Sequence, residues 1–277
     1  MKPAPFDYVK PATVADASAA LCTEGAETAA IAGGQSLLPM LALRAAQPDL
    51  VVDIGGLDEL EETGTTADAI RIGALTTHAA IEDGKFDEAF GGMMQQVAAK
   101  ISYRAVRNHG TIGGSVALAD PAADWPGCLM ALGATVRISG RAGVRSEPVE
   151  DFVQGAYATT LASGEIILGF DLPRPAARMR WGVYKVVRKS GAFASSLAFA
   201  VEQGRGGPVS VVLAAAAPRP RALPAVAQRV RAGMPSESDL RAAIAADIAA
   251  HAPQDDPYLV RLHVSTVLRA VQEMHAR

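Results

Sequence analysis

The chain has 277 residues, of which 49% are hydrophobic and 20% are charged. This length and composition allow one large or two smaller folded domains with a sizeable core, and they argue against disorder. The formal net charge of −3, without a basic cluster interleaved with aromatic residues, argues against nucleic-acid binding. Cys22 and Cys128 form no zinc or iron–sulfur set, so we expect two reduced thiols.

Two features of the sequence bear on localisation: the N-terminal segment and the longest apolar run. The N-terminal segment MKPAPFDYVKPAT contains one lysine and no apolar stretch of the kind found in signal peptides. The longest apolar run, VVLAAAAP near residue 215, is far too short to span a membrane. We therefore expect a cytoplasmic protein without a transmembrane segment.

The first part of the chain alternates predicted helices and short strands. Hydrophobic spacing predicts a helix in KPATVADASAALCTEG, with Thr13 and Asp16 as candidates for its cap. Strands are predicted in TAAIAGG, which we expect to be buried, and in DLVVDIGG. We predict a strand and then a helix from Thr76 or Thr77 in AIRIGALTTHAAIE, and a helix in FDEAFGGMMQQVAAKIS. Further strands are predicted in GATVRISG, RSEPVEDF and GEIILGFDLP, the last ended by Pro173.

The pattern changes after LPRPAARMR, so we place a domain boundary near residue 175. Antiparallel strands are predicted beyond it in RWGVYKVVRKSG, SLAFAVEQ and PVSVVLAAAA. Helices are predicted in ALPAVAQRVRAG, SESDLRAAIAADIAAH and DPYLVRLHVSTVLRAVQEM. In the last of these, Asp256 is the expected N-cap and Pro257 the first helical residue.

The first segment with chemical content is AIAGGQSLLPMLALR, residues 30 to 44. A strand followed by Gly33 and Gly34 exposes successive backbone N–H groups, and positive φ angles at glycine let these groups converge on one anion. Ser36 adds a hydroxyl donor, and a helical turn after it would place its positive N-terminus at the same point. For this motif alone, an ordinary tight turn is the alternative.

A second segment, NHGTIGGSVALADPAADWP over residues 108 to 126, repeats the combination with Gly113 and Gly114 between hydroxyl residues. A pyrophosphate has two charged groups and could use both loops, whereas two unrelated turns are the alternative. The absence of GxxxxGK[ST], and of GxGxxG between a strand and a helix, argues against P-loop and Rossmann sites. Asp120 and Asp124 could each accept a hydrogen bond from a ligand or cap a turn.

These segments resemble one known family when they are read together. AGGQSLLPMLALR, PDLVVDIGGLDEL, IRIGALTTHAAIE and RNHGTIGGSVALADPAADWP look like the FAD-binding medium subunit of the molybdenum hydroxylases, the family of xanthine dehydrogenase and aerobic carbon monoxide dehydrogenase. The resemblance runs over nearly the whole chain, including EIILGFDLP and YKVVRKSGAFA. It implies an α+β fold: a PCMH-type FAD-binding domain of two α/β subdomains (1–175, divided into about 1–55 and 56–175), followed by a C-terminal α+β domain with an antiparallel sheet and helices (176–277).

The resemblance also implies which residues bind FAD. Residues 32–36 would hold the pyrophosphate, and residues 111–115 would form a second wall. Asp124 would hydrogen-bond the ribityl or ribose part, Lys185 would lie near the isoalloxazine, and Phe193 beside the flavin ring. The two isoleucines of the set would contribute backbone or apolar contacts. The implied set is Ala32, Gly33, Gly34, Gln35, Ser36, Leu37, Ile101, Thr111, Gly113, Gly114, Ser115, Asp124, Ile167, Lys185 and Phe193.

Three positions depart from the family pattern. Leu118 stands where the family often has histidine, and Ala192 where aspartate often precedes the aromatic residue. Phe193 lacks the hydroxyl of the tyrosine that some members carry. We expect FAD binding to be kept, whereas the flavin potential and the access of the electron acceptor are left open by these changes.

The division of labour in the family implies the function. A large partner subunit would hold the molybdenum cofactor and a small one two [2Fe–2S] clusters, in a dimer of heterotrimers. This chain would collect electrons from a cluster on its flavin and pass them to NAD, a quinone or oxygen. A stand-alone FAD-dependent oxidoreductase and a cofactor-free binding module are the alternatives. Carbon monoxide, a purine, an aldehyde or an aromatic acyl thioester would all be compatible as the organic substrate of the complex.

Overall fold

The computed structural model of the chain describes residues 2–86, 90, 92–175 and 178–277. A 3₁₀ turn, Asp58–Leu60, lies between the third and fourth of the strands named here. The strands are β1 Asp7–Val9, β2 Thr28–Ile31, β3 Leu50–Asp53, β4 Gly64–Thr65, β5 Ala69–Gly73, β6 Thr135–Gly140, β7 Gly143–Pro148, β8 Val153–Gly155, β9 Ala158–Thr159, β10 Ile166–Pro173, β11 Arg180–Val187, β12 Ala194–Glu202, β13 Val209–Ala214 and β14 Arg221–Ala222. The helices are α1 Val14–Leu21, α2 Leu37–Ala42, α3 His78–Glu82, α4 Met93–Ala99, α5 Arg104–Arg107, α6 Ile112–Leu118, α7 Asp124–Ala131, α8 Val149–Phe152, α9 Pro224–Arg231, α10 Glu237–His251 and α11 Pro257–Ala276.

Three sheets organise the strands. The first has the order β1-β3-β2 and is parallel, with β3 in the centre. The second has the order β4-β5-β10-β6-β7 and is antiparallel. The third, β11-β12-β13-β14, is also antiparallel, as predicted for the strands beyond residue 175. Strands β8 and β9 form a separate antiparallel pair.

Helix caps form where the sequence predicts them. The Thr13 hydroxyl accepts the N–H of Asp16 at 3.0 Å at the start of α1. The Thr77 hydroxyl accepts the N–H of Ala80 at 3.1 Å, which settles the two alternatives for the start of α3. At α11, the Asp256 carboxylate caps the helix and proline occupies the first turn. Each cap satisfies an N–H group that has no partner inside its helix.

Three predictions about elements are wrong in part. Strand β2 is half-buried, because it is an edge strand of the first sheet. The segment VEDF forms α8: Pro148 ends β7, and Glu150 and Asp151 lie in the first turn, where acidic side chains favour a helix. Helix α4 begins only at Met93, because Gly92 has φ +79°, which a right-handed helix cannot include. Residues 87–89 and 91 of that predicted helix lie outside the described residues, whereas Phe90 is helical.

The cores explain how the sheets are held together. The largest cluster of buried side chains joins Phe170 of the second sheet, Trp125 of α7 and Phe199 of the third sheet. A second cluster fills the space between the other face of the third sheet and helices α9, α10 and α11. A Cβ at Gly127 would lie 2.7 Å from the Phe199 ring, so glycine lets α7 approach β12 closely. Consequently α7 and β11, which carry two of the predicted site residues, are fixed relative to each other.

Candidate cofactor site

A cavity of about 520 Å³ brings together residues that are distant in sequence. Its volume lies in the range of small-molecule and cofactor sites. The wall includes the segment after β2, the start of α6, the first residue of α7, part of β10 and the tip of the β11–β12 hairpin. All fifteen predicted site residues line this cavity: Ala32, Gly33, Gly34, Gln35, Ser36, Leu37, Ile101, Thr111, Gly113, Gly114, Ser115, Asp124, Ile167, Lys185 and Phe193.

The two glycines after β2 are required for different reasons. Gly34 has φ +70°, a left-handed conformation that other residues rarely adopt. A Cβ at Gly33 would lie 1.8 Å from the carbonyl oxygen of His109, so glycine is needed for the close approach of two backbone segments. The two glycine segments that the sequence singled out therefore touch each other at this point.

The segment from Gly33 to Leu37 offers a run of unpaired donors. None of its five backbone N–H groups donates a hydrogen bond to another of the described residues. The side chain of Gln35 turns back to the Gly33 carbonyl at 3.2 Å and leaves these groups uncovered. Successive free N–H groups around a left-handed glycine form a concave site for an anion. This part of the sequence prediction has a clear geometric counterpart.

The second glycine segment is not a loop, which corrects the prediction. It forms the first turn of α6, and the Thr111 hydroxyl caps that turn by accepting the N–H of Gly114 at 3.1 Å. The N–H groups of Ile112, Gly113 and Ser115 donate to carbonyl oxygens of Thr76, Ala74 and Thr111 at 3.0, 2.9 and 3.1 Å. These donors are used inside the protein. The segment therefore supplies a wall of the cavity in which, of its five backbone N–H groups, that of Thr111 alone has no partner among the described residues.

Gly113 and Gly114 make that wall close-packed. A Cβ at Gly113 would lie 2.6 Å from the Cβ of Ala74, so glycine seats the helix against the end of β5. Gly114 is exposed, and its position leaves the cavity side of the helix without a side chain. Within residues 111–115, Ser115 presents a hydroxyl that no described residue binds and that is available to a ligand.

Asp124 and Lys185 form a buried ion pair at the cavity wall. Lys185 Nζ donates to Asp124 Oδ2 at 2.8 Å and to the carbonyl oxygen of Lys100 at 3.1 Å. The Asp124 side chain is 7% exposed and the Lys185 side chain is 4% exposed. Burial raises the pKa of Asp124, although the Lys185 ammonium opposes that rise. The sequence prediction gave these two residues separate tasks, and the structure joins them.

Asp120 has a structural task of its own. Its carboxylate accepts the N–H of Ala122 at 2.8 Å and the hydroxyl of Tyr157 at 3.1 Å. The first contact is the turn-capping alternative raised from the sequence. The hydrogen bond from Tyr157 also raises the pKa of that phenol. Asp120 lines the cavity while both of its oxygens already have partners.

The part of the cavity lined by the exposed Phe193 is here called its mouth, and Tyr103 supports the same hairpin without lining the cavity. Phe193, at the tip of the β11–β12 hairpin, is 65% exposed. Tyr103 donates from its hydroxyl to the Ser190 carbonyl at 3.2 Å. A Cβ at Gly191 would lie 2.7 Å from the Tyr103 ring, so the hairpin tip rests directly on this tyrosine. Leu118 and Ala192, two of the departures from the family pattern, also line the cavity.

Several lining residues were missed from the sequence. They include His78, Gly110, Leu161 and Glu165. Glu165 belongs to a network in which Arg145 donates to it at 2.8 and 2.7 Å and lowers its pKa. Gly110 and Glu165 lie within the segments RNHGTIGGSVALADPAADWP and EIILGFDLP but were not assigned to the site, and Leu161 lies outside every segment that carries the resemblance. For His78, its place in the segment TTHAAIE was the available signal.

The described residues also bear on metal binding, on the two cysteines and on membrane-spanning helices. Among the described residues, no group of three or more His, Cys, Asp or Glu side chains is placed to hold a metal ion. Cys22 and Cys128 are free thiols, and burial raises the pKa of Cys128. Within the described part of the chain, no helix is both long and apolar enough to cross a membrane.

A family model agrees with this geometry. Residues 4–175 match the model described as "FAD binding domain in molybdopterin dehydrogenase". The matched range contains the first and second sheets and most of the cavity wall, including both glycine segments.

Curated proteins with similar sequences carry consistent names. The nicotine 6-hydroxylase medium subunit of Paenarthrobacter nicotinovorans is 39% identical over 69% of this chain and 66% of that subunit. The glyceraldehyde dehydrogenase medium chain of Sulfolobus acidocaldarius is 38% identical over 73% of this chain and 72% of its own length. The carbon monoxide dehydrogenase medium chain of Afipia carboxidovorans is 35% identical over 75% of this chain and 72% of its own length. The chain thus spans about two thirds of the length of these relatives.

Solved structures extend the similarity to the whole chain. A chain of carbon monoxide dehydrogenase from Hydrogenophaga pseudoflava superposes with a TM-score of 0.92 at 30% identity, over 100% of this chain and 99% of that one. A chain of quinoline 2-oxidoreductase from Pseudomonas putida 86 gives a TM-score of 0.90 at 30% identity, over the same shares. The fold that the resemblance implied is confirmed.

Proposed function

Because this chain belongs to the family of FAD-binding medium subunits of molybdenum hydroxylases, we propose that it carries electrons between a partner's iron–sulfur cluster and an external acceptor. FAD is its cofactor, and the chain is a subunit of an oxidoreductase. In the proposed complex, a large subunit holds the molybdenum cofactor and a small subunit holds two [2Fe–2S] clusters. Two such heterotrimers pair.

The run of five unpaired N–H groups from Gly33 to Leu37 carries the proposal. A pyrophosphate presents several anionic oxygens, and backbone N–H groups bind such oxygens without adding a titratable group. The Ser36 and Ser115 hydroxyls, which belong to the two touching glycine segments, can donate to the same ligand. The wall at Gly113 and Gly114 brings the backbone close to the ligand. The residues present therefore fit the pyrophosphate of FAD.

The other end of the cavity suits the flavin. Bound FAD supplies the exchange between single-electron and two-electron transfer that such a subunit needs. We assign Lys185, Asp124 and the apolar contacts of Ile101 and Ile167 to the ribityl and isoalloxazine parts. The exposed Phe193, which lines the cavity mouth, would lie beside the flavin ring and shield one edge of it from solvent. With Lys185 paired to Asp124, this region carries little net charge.

The division into domains is part of the proposal. Residues 1–175 form the FAD-binding domain, with subdomains of about 1–55 and 56–175, and residues 176–277 form the C-terminal domain. The parallel first sheet and the antiparallel second sheet lie within the first 175 residues, and the third sheet packs one face against its own helices, which supports this division. The other face of the third sheet shares the largest core cluster with the second sheet and α7. The acceptor is NAD, a quinone or oxygen. No described residue of the cavity identifies which of them is used.

The absorption spectrum of the complex tests the function. We would isolate whatever assembles with this chain in its native host and record its visible spectrum. Flavin bands together with broad iron–sulfur absorption are the expected result. Flavin bands without iron–sulfur absorption would favour the alternative, a stand-alone FAD-dependent oxidoreductase. A colourless protein would contradict both and return attention to a cofactor-free module.

A further inference from the structure

His78 lines the cofactor cavity and is otherwise part of the core. It is the first residue of α3 and is only 6% exposed. Its backbone N–H donates to the Gly110 carbonyl at 2.9 Å, and its ring packs beside Trp125, with ring centroids 5.9 Å apart. The imidazole is thus held in one place by both backbone and side-chain contacts.

The hydrogen bond from Trp125 fixes the tautomer of this histidine. Trp125 Nε1 donates to His78 Nδ1 at 3.0 Å. An indole N–H can only donate, so Nδ1 carries the lone pair and the proton of the neutral ring is on Nε2. Burial, with a smaller effect from the Arg107 charge, lowers the pKa of His78 to about 4. The ring is therefore a neutral Nε2–H donor at physiological pH.

This donor is unpaired and uncovered. Nε2 makes no hydrogen bond with any described residue. Among the described residues, the fully buried side-chain nitrogen and oxygen atoms that lack a partner are Thr76 Oγ1 and Arg221 Nε, so Nε2 is not fully buried. Nε2 therefore faces accessible space, and the space that His78 lines is the cavity. A Cβ at Gly110 would lie 2.9 Å from both Nε2 and Cδ2, so any larger residue at this position would collide with this edge of the ring.

We propose that His78 is a further cofactor-positioning residue whose Nε2–H donates a hydrogen bond to an oxygen of FAD. The inference rests on the proposed function, which places FAD in this cavity. The donor lies beside the first glycine segment, because a Cβ at Gly33 would be 3.0 Å from the Cα of Gly110. A neutral donor orients an oxygen without adding charge next to the Asp124–Lys185 pair. The tryptophan fixes the direction of donation before the ligand binds.

Imidazole nitrogen NMR on the full chain tests the contact directly. The chain has five histidines, so the spectrum is simple, and His78→Gln identifies the His78 signals. We expect Nδ1 unprotonated and Nε2 protonated with and without FAD, and a downfield shift of the Nε2–H proton when FAD binds. Titration with ADP and with riboflavin then locates the acceptor in one half of FAD. An unchanged Nε2–H signal in saturating FAD would overturn the proposal.

FAD affinity gives a second, independent measurement. We expect His78→Leu to weaken FAD binding about fivefold to tenfold, the effect of one neutral hydrogen bond. His78→Gln keeps an N–H donor and should retain more of the affinity, and the exposed His275→Leu is the control. A purely structural role would make both variants at position 78 lose affinity in proportion to their melting temperatures. If the wild-type chain bound no FAD, the proposed function itself would fail, whereas wild-type binding with unchanged His78→Leu affinity would refute only this inference.

Discussion

At the scale of single residues, the pair of Lys185 and Asp124 is the most consequential feature of the site. Two buried opposite charges gain little net stability from each other, but leaving one of them without its partner costs about 3–5 kcal/mol. Both side chains are nearly sealed from solvent, so water cannot replace a missing partner. The pair therefore couples the geometry of α7 to that of β11 at the cavity wall.

Lys185→Ala should change the midpoint potential of the flavin more than it reduces the amount of FAD that stays bound. Removing a cation near the isoalloxazine disfavours added negative charge, so we expect a lower midpoint potential while most FAD stays bound. Spectroelectrochemical titration and the FAD content of the purified protein measure the two effects. Lys189→Ala removes an exposed lysine four positions away and should alter neither. An unchanged potential accompanied by lost FAD would contradict this expectation.

The same variant should show an altered pH dependence of stability. In the folded protein the pKa of Asp124 is raised, so its ionisation lowers the free energy of unfolding as the pH rises above the pKa of the unfolded carboxyl. Without Lys185 this penalty grows. We therefore expect the stability deficit of Lys185→Ala, measured by urea unfolding, to be largest at neutral pH and to shrink as the pH falls. A deficit that is constant with pH would mean that Asp124 is not charged in the wild type.

Gly33 is the position where an added methyl group should do most harm. In Gly33→Ala the new Cβ would overlap the His109 carbonyl, which is backbone and has no rotamer to change. We expect a loss of about 3 kcal/mol in the free energy of unfolding, together with weakened FAD binding. Gly64→Ala is the matched control, because nothing lies within 4 Å of its Cβ position. Equal stability of the two variants would show that the segments around positions 33 and 109 separate easily.

At the scale of elements, the two glycine segments look alike in sequence and differ in use. The first precedes the short helix α2 and leaves its N–H groups unpaired, and Ser36 makes no cap hydrogen bond there. The second is the capped first turn of α6, where the backbone N–H groups from Ile112 to Ser115 all donate to described residues. The difference arises because the Thr111 hydroxyl caps the helix and because Ala74 and Thr76, in the turn after β5, supply carbonyl acceptors.

Substituting the two hydroxyl residues should separate these uses. Thr111→Ala removes a helix cap and should lower the free energy of unfolding by about 1 kcal/mol. Ser36→Ala removes no internal hydrogen bond, so the apo-protein should keep its stability while FAD binds more weakly. Thermal unfolding without ligand and FAD titration measure the two effects. A Ser36→Ala variant with unchanged FAD affinity would exclude its hydroxyl from the ligand contacts.

At the scale of the whole molecule, the cavity is closed by parts of the chain that are far apart in sequence. The β11–β12 hairpin of the third sheet rests on Tyr103, which precedes α5. Gly191 has φ +78° and provides both the turn and the room for the tyrosine ring. This contact positions Phe193 at the cavity mouth, although neither ring is buried.

Tyr103→Ala should therefore act on ligand exchange. We expect faster FAD dissociation, because the hairpin tip loses its support, with little change in melting temperature, because Tyr103 is 58% exposed. Release of flavin fluorescence after dilution measures the rate. Tyr258→Ala, which alters an equally exposed tyrosine at the start of α11, is the control. If both variants released FAD at the wild-type rate, the hairpin would be held by other contacts.

The amino-acid sequence by itself determined most of the elements, the family and fifteen of the residues that line the cavity. Local signals were sufficient for the caps at Thr13 and Asp256, because a cap depends on residues within three positions of each other. They left Thr76 and Thr77 as alternatives for the start of α3, and the structure selects Thr77. The resemblance supplied the lining residues, since it depends on motifs read in order. The family model and the solved structures confirm that fold and cofactor.

Only the tertiary structure decided how those residues are used. Whether an N–H group is free depends on acceptors contributed by distant segments, which is why the N–H of Gly113 is bound to Ala74 while that of Gly33 is unpaired. Charges pair across space, so Lys185 and Asp124, 61 positions apart, neutralise each other. The open edge of His78 likewise depends on Trp125 and Gly110. Hydrogen-bond partners and burial are properties of the packed chain, and no local pattern encodes them.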